Sequence, residues 1–147
     1  MTREPRTRRK ASVRRCPNRR RVVKWRVVAK KALRLLLVED HADSAELLAE
    51  LLASRGHTVR VAGTAHDALA CAAAETFDIV VSDVGLPDGS GYELMAQLRD
   101  RHALKGIALT GARLTDAAAS SGFVACLTKP IALRTLEETL EDVASRL

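Results

Sequence analysis

Along residues 33–147, short apolar runs alternate with stretches in which apolar residues recur every three or four positions. The runs are Leu33-Arg34-Leu35-Leu36-Leu37-Val38, His57-Thr58-Val59-Arg60-Val61-Ala62, Ile79-Val80-Val81, Ile107-Ala108-Leu109 and Phe123-Val124-Ala125-Cys126-Leu127. Their length and content of Val and Ile suit strands covered on both faces. Leu47, Leu48, Leu51 and Leu52 then predict a helix from about Asp43 to Arg55, with Gly56 as its stop. Ala65, Ala68, Leu69 and Ala72 predict a second, with Thr64 as N-cap. Tyr92, Leu94, Met95 and Leu98 mark a third, and Leu133, Leu136, Leu140 and Val143 stripe a closing one. Leu114 to Ser121 holds only a short helix before Gly122. Strand and helix alternating five times predict an α/β fold: a doubly wound, five-stranded parallel sheet with helices on both faces and right-handed crossovers.

In such a sheet the reactive groups collect beyond the carboxyl ends of the strands. Here those ends carry Glu39 and Asp40, Asp83, Thr110, and Lys129. Asp83 is followed by Val84-Gly85-Leu86-Pro87-Asp88-Gly89-Ser90-Gly91, whose Gly, Pro and Asp are turn residues. Carboxylates gathered at one crevice repel one another until a cation or a proton neutralises them. Oxygen donors without His or Cys suit Mg²⁺. A cation, an ammonium and a hydroxyl around one carboxylate suit a phosphoryl group in transfer, with Asp83 as nucleophile forming an acyl phosphate. No Ser-His-Asp or Cys-His set stands out, and there is no P-loop Gly-Lys-Ser/Thr.

Charge divides the chain in two. Residues 1–31 hold 14 Lys and Arg against one acid, a balance of +13; residues 32–147 hold 10 against 17, a balance of −7. The first segment reads as a basic, disordered N-terminal extension, and the second as the folded domain. The extension is a solvated tail or a contact to nucleic acid that weakens steeply with salt. Cys16, Cys71 and Cys126 have neither disulfide nor metal spacing, which suits reduced cysteines in the cytoplasm. No apolar run is long enough for membrane insertion.

Together, in order, the strand-end motifs resemble the receiver domain of the two-component response-regulator family, over residues 33–147. Leu37-Val38-Glu39-Asp40 is similar to its acidic pair. Ser82-Asp83-Val84-Gly85-Leu86-Pro87-Asp88-Gly89 is similar to its phosphoacceptor strand end. Ala108-Leu109-Thr110-Gly111 and Thr128-Lys129-Pro130 are similar to the switch threonine and the Lys-Pro signature. The flavour of the Gly-Leu-Pro-Asp-Gly-Ser-Gly stretch is that of receivers attached to hybrid sensor kinases.

The resemblance implies a flavodoxin-like (βα)5 fold and a set of roles. Asp83 takes a phosphoryl group from a histidine kinase or a histidine phosphotransfer protein. Asp40, Asp83 and the Gly85 backbone carbonyl hold Mg²⁺, and Glu39 acts through water. Thr110 and Lys129 contact the phosphoryl oxygens, the Lys129–Pro130 peptide is cis, and Gly111 leaves the site open. No enzyme is expected beyond self-phosphorylation and self-dephosphorylation. With no output domain after Leu147, a stand-alone receiver is expected, acting as a switch or phosphorelay intermediate. Its rivals are a receiver whose tail binds nucleic acid and a constitutive module that does not cycle.

Two departures qualify the resemblance. Cys126 stands where the family often has an aromatic or His, and the segment between Thr110 and Gly122 is about a turn short of the usual fourth helix. Asp88 reads as a turn former, Cys126 as a small buried hydrophobe, and His41 as an exposed residue opening the first helix. His57, His66 and His102 show no partner and are given no role.

Overall fold

A computed structural model describes residues 32–111 and 120–147. In chain order the elements are β1 (Arg34–Val38), α1 (Ala42–Ser54), β2 (Thr58–Ala62), α2 (Ala65–Ala74) and β3 (Ile79–Asp83). A small hairpin of β4 (Gly85–Leu86) and β5 (Gly89–Ser90) follows, then α3 (Gly91–His102), β6 (Lys105–Thr110), β7 (Phe123–Thr128) and α4 (Leu133–Ala144). Five strands form one parallel sheet in the order β2-β1-β3-β6-β7. That order reverses direction between β1 and β3, which makes the carboxyl end of this central pair the switch point of a doubly wound sheet.

Side chains alternate across each strand, so every apolar run feeds two cores. Leu36, Val38, Val80 and Ala108 face α2 and α3, where Ala68, Ala72, Leu94, Met95 and Leu98 cover them. Leu35, Leu37, Ile79, Val81, Ile107 and Leu109 face α1 and α4, beneath Leu52, Leu136, Leu140 and Val143. This explains why the runs read as continuous rather than alternating: the sheet is covered on both faces.

Helix ends follow local chemistry. Thr64 Oγ1 accepts the Asp67 N–H at 3.0 Å, the cap expected for α2. Gly56, at φ +97°, lets the chain turn out of α1, and the His57 N–H donates back to the Leu52 carbonyl. The four leucines expected to line α1 divide, however. Leu52 is buried and Leu48 half-buried, whereas Leu47 is 59 % exposed and Leu51 lies at the surface. The inward stripe runs instead through Ala45, Leu48, Ala49 and Leu52, which share one helical face.

The strand predicted over Ile107–Leu109 begins earlier, at Lys105. Its second residue is Gly106 because a Cβ there would run into the Met95 sulfur and the Phe123 ring. His57 also corrects the expectation that it has no partner. It is buried, its Nδ1 accepts the Leu33 N–H at 3.1 Å, and its Nε2 lies 3.2 Å from Glu137 Oε2. Since Nδ1 accepts, the proton sits on Nε2 and donates to Glu137. Residues 1–31 and the short helix expected within 114–121 fall outside the described residues, apart from Ser120 and Ser121. Among the described residues no helix is long and apolar enough to cross a membrane.

Candidate phosphoryl-acceptor site

The strand register brings the sequence-predicted residues to one edge. Val38 pairs with Ser82, so Glu39 and Asp83 are the next residues on adjacent strands. Asp83 pairs with Leu109, and Thr110 pairs with Thr128, which sets Thr110 and Lys129 on the other side of Asp83. Backbone bonds hold the flanking residues in place. Glu39 N–H donates to the Ala62 carbonyl at 3.0 Å, and Lys129 N–H to the Thr110 carbonyl at 2.8 Å. The Lys129–Pro130 peptide is cis.

Asp83 is 5 % exposed, Glu39 and Thr110 are also buried, and Asp40 is exposed. Lys129 reaches in from solvent: its Nζ lies 2.8 Å from Asp83 Oδ1 and 3.3 Å from Glu39 Oε1. Glu39 Oε2 accepts the His41 N–H at 3.1 Å. Carboxylate oxygens of Glu39, Asp40 and Asp83 lie within 4.8 Å of one another. Asp83 Oδ1 is fully buried and is met by the Lys129 ammonium as an ion pair, with no further partner among the described residues.

The electrostatics record the crowding. Burial pushes the Asp83 carboxyl up to about 6, helped by the adjacent Glu39 carboxylate, with Lys129 pulling the other way. Burial also acts to raise Glu39, but its contact with Asp83, the His41 N–H and the Lys129 ammonium outweigh it and leave it low. Burial lowers Lys129, yet the two carboxylates win and hold it above the usual lysine value. Three carboxylates and one ammonium leave a site two charges short of neutral. A hard divalent cation fits that donor set. Glu39, Asp40 and Asp83 are the groups that would hold it.

Outside this cluster the structure reassigns one residue and bears out another. Asp88 does more than form a turn: its carboxylate oxygens accept the Ala65 N–H at 2.8 Å and the His66 N–H at 3.0 Å, at the start of α2. Those two N–H donors also hold its carboxyl below the usual range. Cys126 is half-buried against the α2/α3 core, and burial raises its thiol, so it packs as a small hydrophobe. Gly111 is exposed with open space where a Cβ would be.

Comparison with known proteins decides the family. The family model described as the response regulator receiver domain matches residues 35–141. The chain belongs to that family. This receiver is 34 % identical over 117 residues to the sensor histidine kinase RcsC of Salmonella typhimurium, a match that covers 77 % of this chain and 12 % of RcsC. The receiver thus spans only a small part of that relative, as the likeness to kinase-attached receivers led one to expect. It is 32 % identical to the CheY-like receiver domain of Methylobacillus flagellatus, with a TM-score of 0.71 and coverage of 77 % and 99 % of the two chains. The response regulator TrrA of Thermotoga maritima, solved in complex with Mg(2+)-BeF, matches at 25 % identity and TM-score 0.69, over 75 % of this chain and 97 % of its own.

Proposed function

We propose that this receiver accepts a phosphoryl group on Asp83 from a histidine kinase or a histidine phosphotransfer protein, in the cytoplasm and with Mg²⁺. The observation that carries the reading is the buried, incompletely neutralised Asp83 at a strand end, faced by Lys129, Thr110 and two further carboxylates. The Mg(2+)-BeF complex of TrrA supports the choice of metal, and the match to a sensor kinase supports the donor class. Beyond its own phosphorylation and dephosphorylation the receiver catalyses nothing.

A carboxylate oxygen of Asp83 attacks phosphorus as the P–N bond of the donor phosphohistidine breaks. The electron pair leaves with the imidazole, which then takes a proton from water. Mg²⁺, when bound, supplies charge neutralisation to the peripheral phosphoryl oxygens. Lys129, ion-paired to Asp83 beforehand, shifts its charge to a phosphoryl oxygen, and the Thr110 hydroxyl donates to another. The product carries roughly −1.5 to −2 charge, by analogy with other phosphorylated side chains. Open space at Gly111 admits the donor and, later, attacking water.

Incubation with acetyl phosphate and Mg²⁺ followed by intact mass tests the reading. One phosphoryl adduct is expected on the wild type and none on Asp83→Asn; a wild type that gains no mass would overturn it. Lys129→Ala separates acceptance from response. With its ammonium gone, Mg²⁺ binding should persist, while the backbone amide shifts that phosphorylation produces around Thr110 should collapse. Undiminished shifts in that variant would remove Lys129 from the switch.

A further inference from the structure

Resting on the phosphoryl-acceptor reading above, we propose that Asp88 is a positioning residue for the cation site, acting through the hairpin that carries Gly85. The chain leaves the sheet at Val84, whose N–H still donates to the Leu109 carbonyl at 3.3 Å. Residues 85–90 then form a hairpin with two paired positions, Gly85 with Ser90 and Leu86 with Gly89. Gly85, Pro87, Asp88 and Gly89 are exposed, and within the hairpin Leu86 alone packs, half-buried, against the α2/α3 core.

Two polar ties add to that contact. At its base the Gly91 N–H donates to the Val84 carbonyl at 2.7 Å. At its tip the Asp88 carboxylate grips the first two N–H groups of α2, 22 and 23 residues away in sequence. Those N–H groups have no acceptor within their own helix, and a charged acceptor makes the stronger kind of bond there. A turn former of ordinary type would bond to its own backbone two residues on. Asp88 bonds instead to another element.

The N–H groups that Asp88 takes are not those that the helix's own cap serves. Helix α2 already has Thr64, whose hydroxyl accepts the Asp67 N–H. The Asp88 contact is therefore the polar link between the hairpin and the sheet-packed helix. Through it, α2 restrains the loop that presents the Gly85 carbonyl. By linkage, a cation that favours the clasped hairpin strengthens the clasp by the same factor.

The probe is Mg²⁺ itself, titrated calorimetrically into the full chain carrying Asp88→Ala, Asp88→Asn or Thr64→Ala. Asp88→Ala should weaken Mg²⁺ binding roughly tenfold, the low end for residues that orient a ligand from outside. Asp88→Asn keeps one acceptor oxygen and should recover part of the loss. Thr64→Ala uncaps the same helix without touching the hairpin and should bind as the wild type does. Hydrogen exchange gives the second readout: Mg²⁺ should slow exchange of the Ala65 and His66 amides in the wild type and leave it unchanged in Asp88→Ala. A wild-type affinity in Asp88→Ala, or an equal loss in Thr64→Ala, overturns the proposal while the acceptor reading stands. A wild type that binds no Mg²⁺ overturns both.

Discussion

Gly91→Ala is expected to destabilise the receiver by about 3 kcal/mol, the upper part of the range for forcing a methyl group into a packed site. A Cβ at Gly91 would land against the Asp83 carbonyl oxygen and 2.7 Å from the Val84 Cα. Both are backbone atoms of the strand end that carries the acceptor, so no rotamer change can make room. The helix would have to move off β3, and the short Gly91-to-Val84 hydrogen bond would go with it. For a domain of this size the midpoint of thermal unfolding should fall by roughly 10 °C. Gly111→Ala is the matched control, because none of the described residues lies within 4 Å of a Cβ there. Denaturant melts of both variants test the claim, and a Gly91→Ala protein as stable as Gly111→Ala would refute it.

Gly91 also illustrates what could be read from the chain before its structure. The strand cores were legible because a sheet covered on both faces makes each strand a run of apolar residues. The strand ends were legible because the composition switches there, from Val38 to Glu39, at Asp83, at Thr110 and at Lys129. Each of those residues stands at the edge where it was expected. Within α1, by contrast, four leucines in six residues span more of the helix than one buried face can take, and Leu47 faces solvent.

Long-range polar contacts left no local trace at all. His57 and Glu137 are 80 residues apart, and Asp88 reaches a helix start 22 and 23 residues upstream. Neither spacing has a period, and the two acids, Glu137 and Asp88, belong to types that ordinarily point to water. The turn around Asp88 was readable from Pro87 and Gly89, but not the direction of its carboxylate. Physical reach across the fold, rather than neighbourhood in the chain, decides such pairs.

Asp83→Asn should make the metal-free receiver more stable at pH 7.5, even as it abolishes phosphoryl acceptance. Asp83 has its carboxyl raised from 3.8 to about 6, chiefly by burial and next by Glu39. A raised acid binds its proton more tightly in the folded state, so its contribution is full below about pH 4 and is lost as pH rises through about 6. Above that window the folded protein carries an ionised, buried carboxylate against Glu39. Glu39 moves the other way, since its folded value is low, and it offsets part of the loss as pH rises past its unfolded value. The half-exposed Lys129 contact that the variant gives up is worth little by comparison.

The net gain expected for Asp83→Asn, in EDTA, is therefore roughly 1–2 kcal/mol. Added Mg²⁺ should reverse the order. It binds the folded wild type and stabilises it by mass action, whereas the variant, one carboxylate short, should gain far less. Thermal melts of both proteins at pH 5 and pH 7.5, with EDTA and with Mg²⁺, separate these contributions. The stabilising effect of the substitution should shrink at pH 5, where Asp83 is largely protonated. A variant less stable than the wild type in EDTA at pH 7.5 would mean that Lys129 already neutralises the site, and the case for a cation drawn in by unbalanced carboxylates would fail.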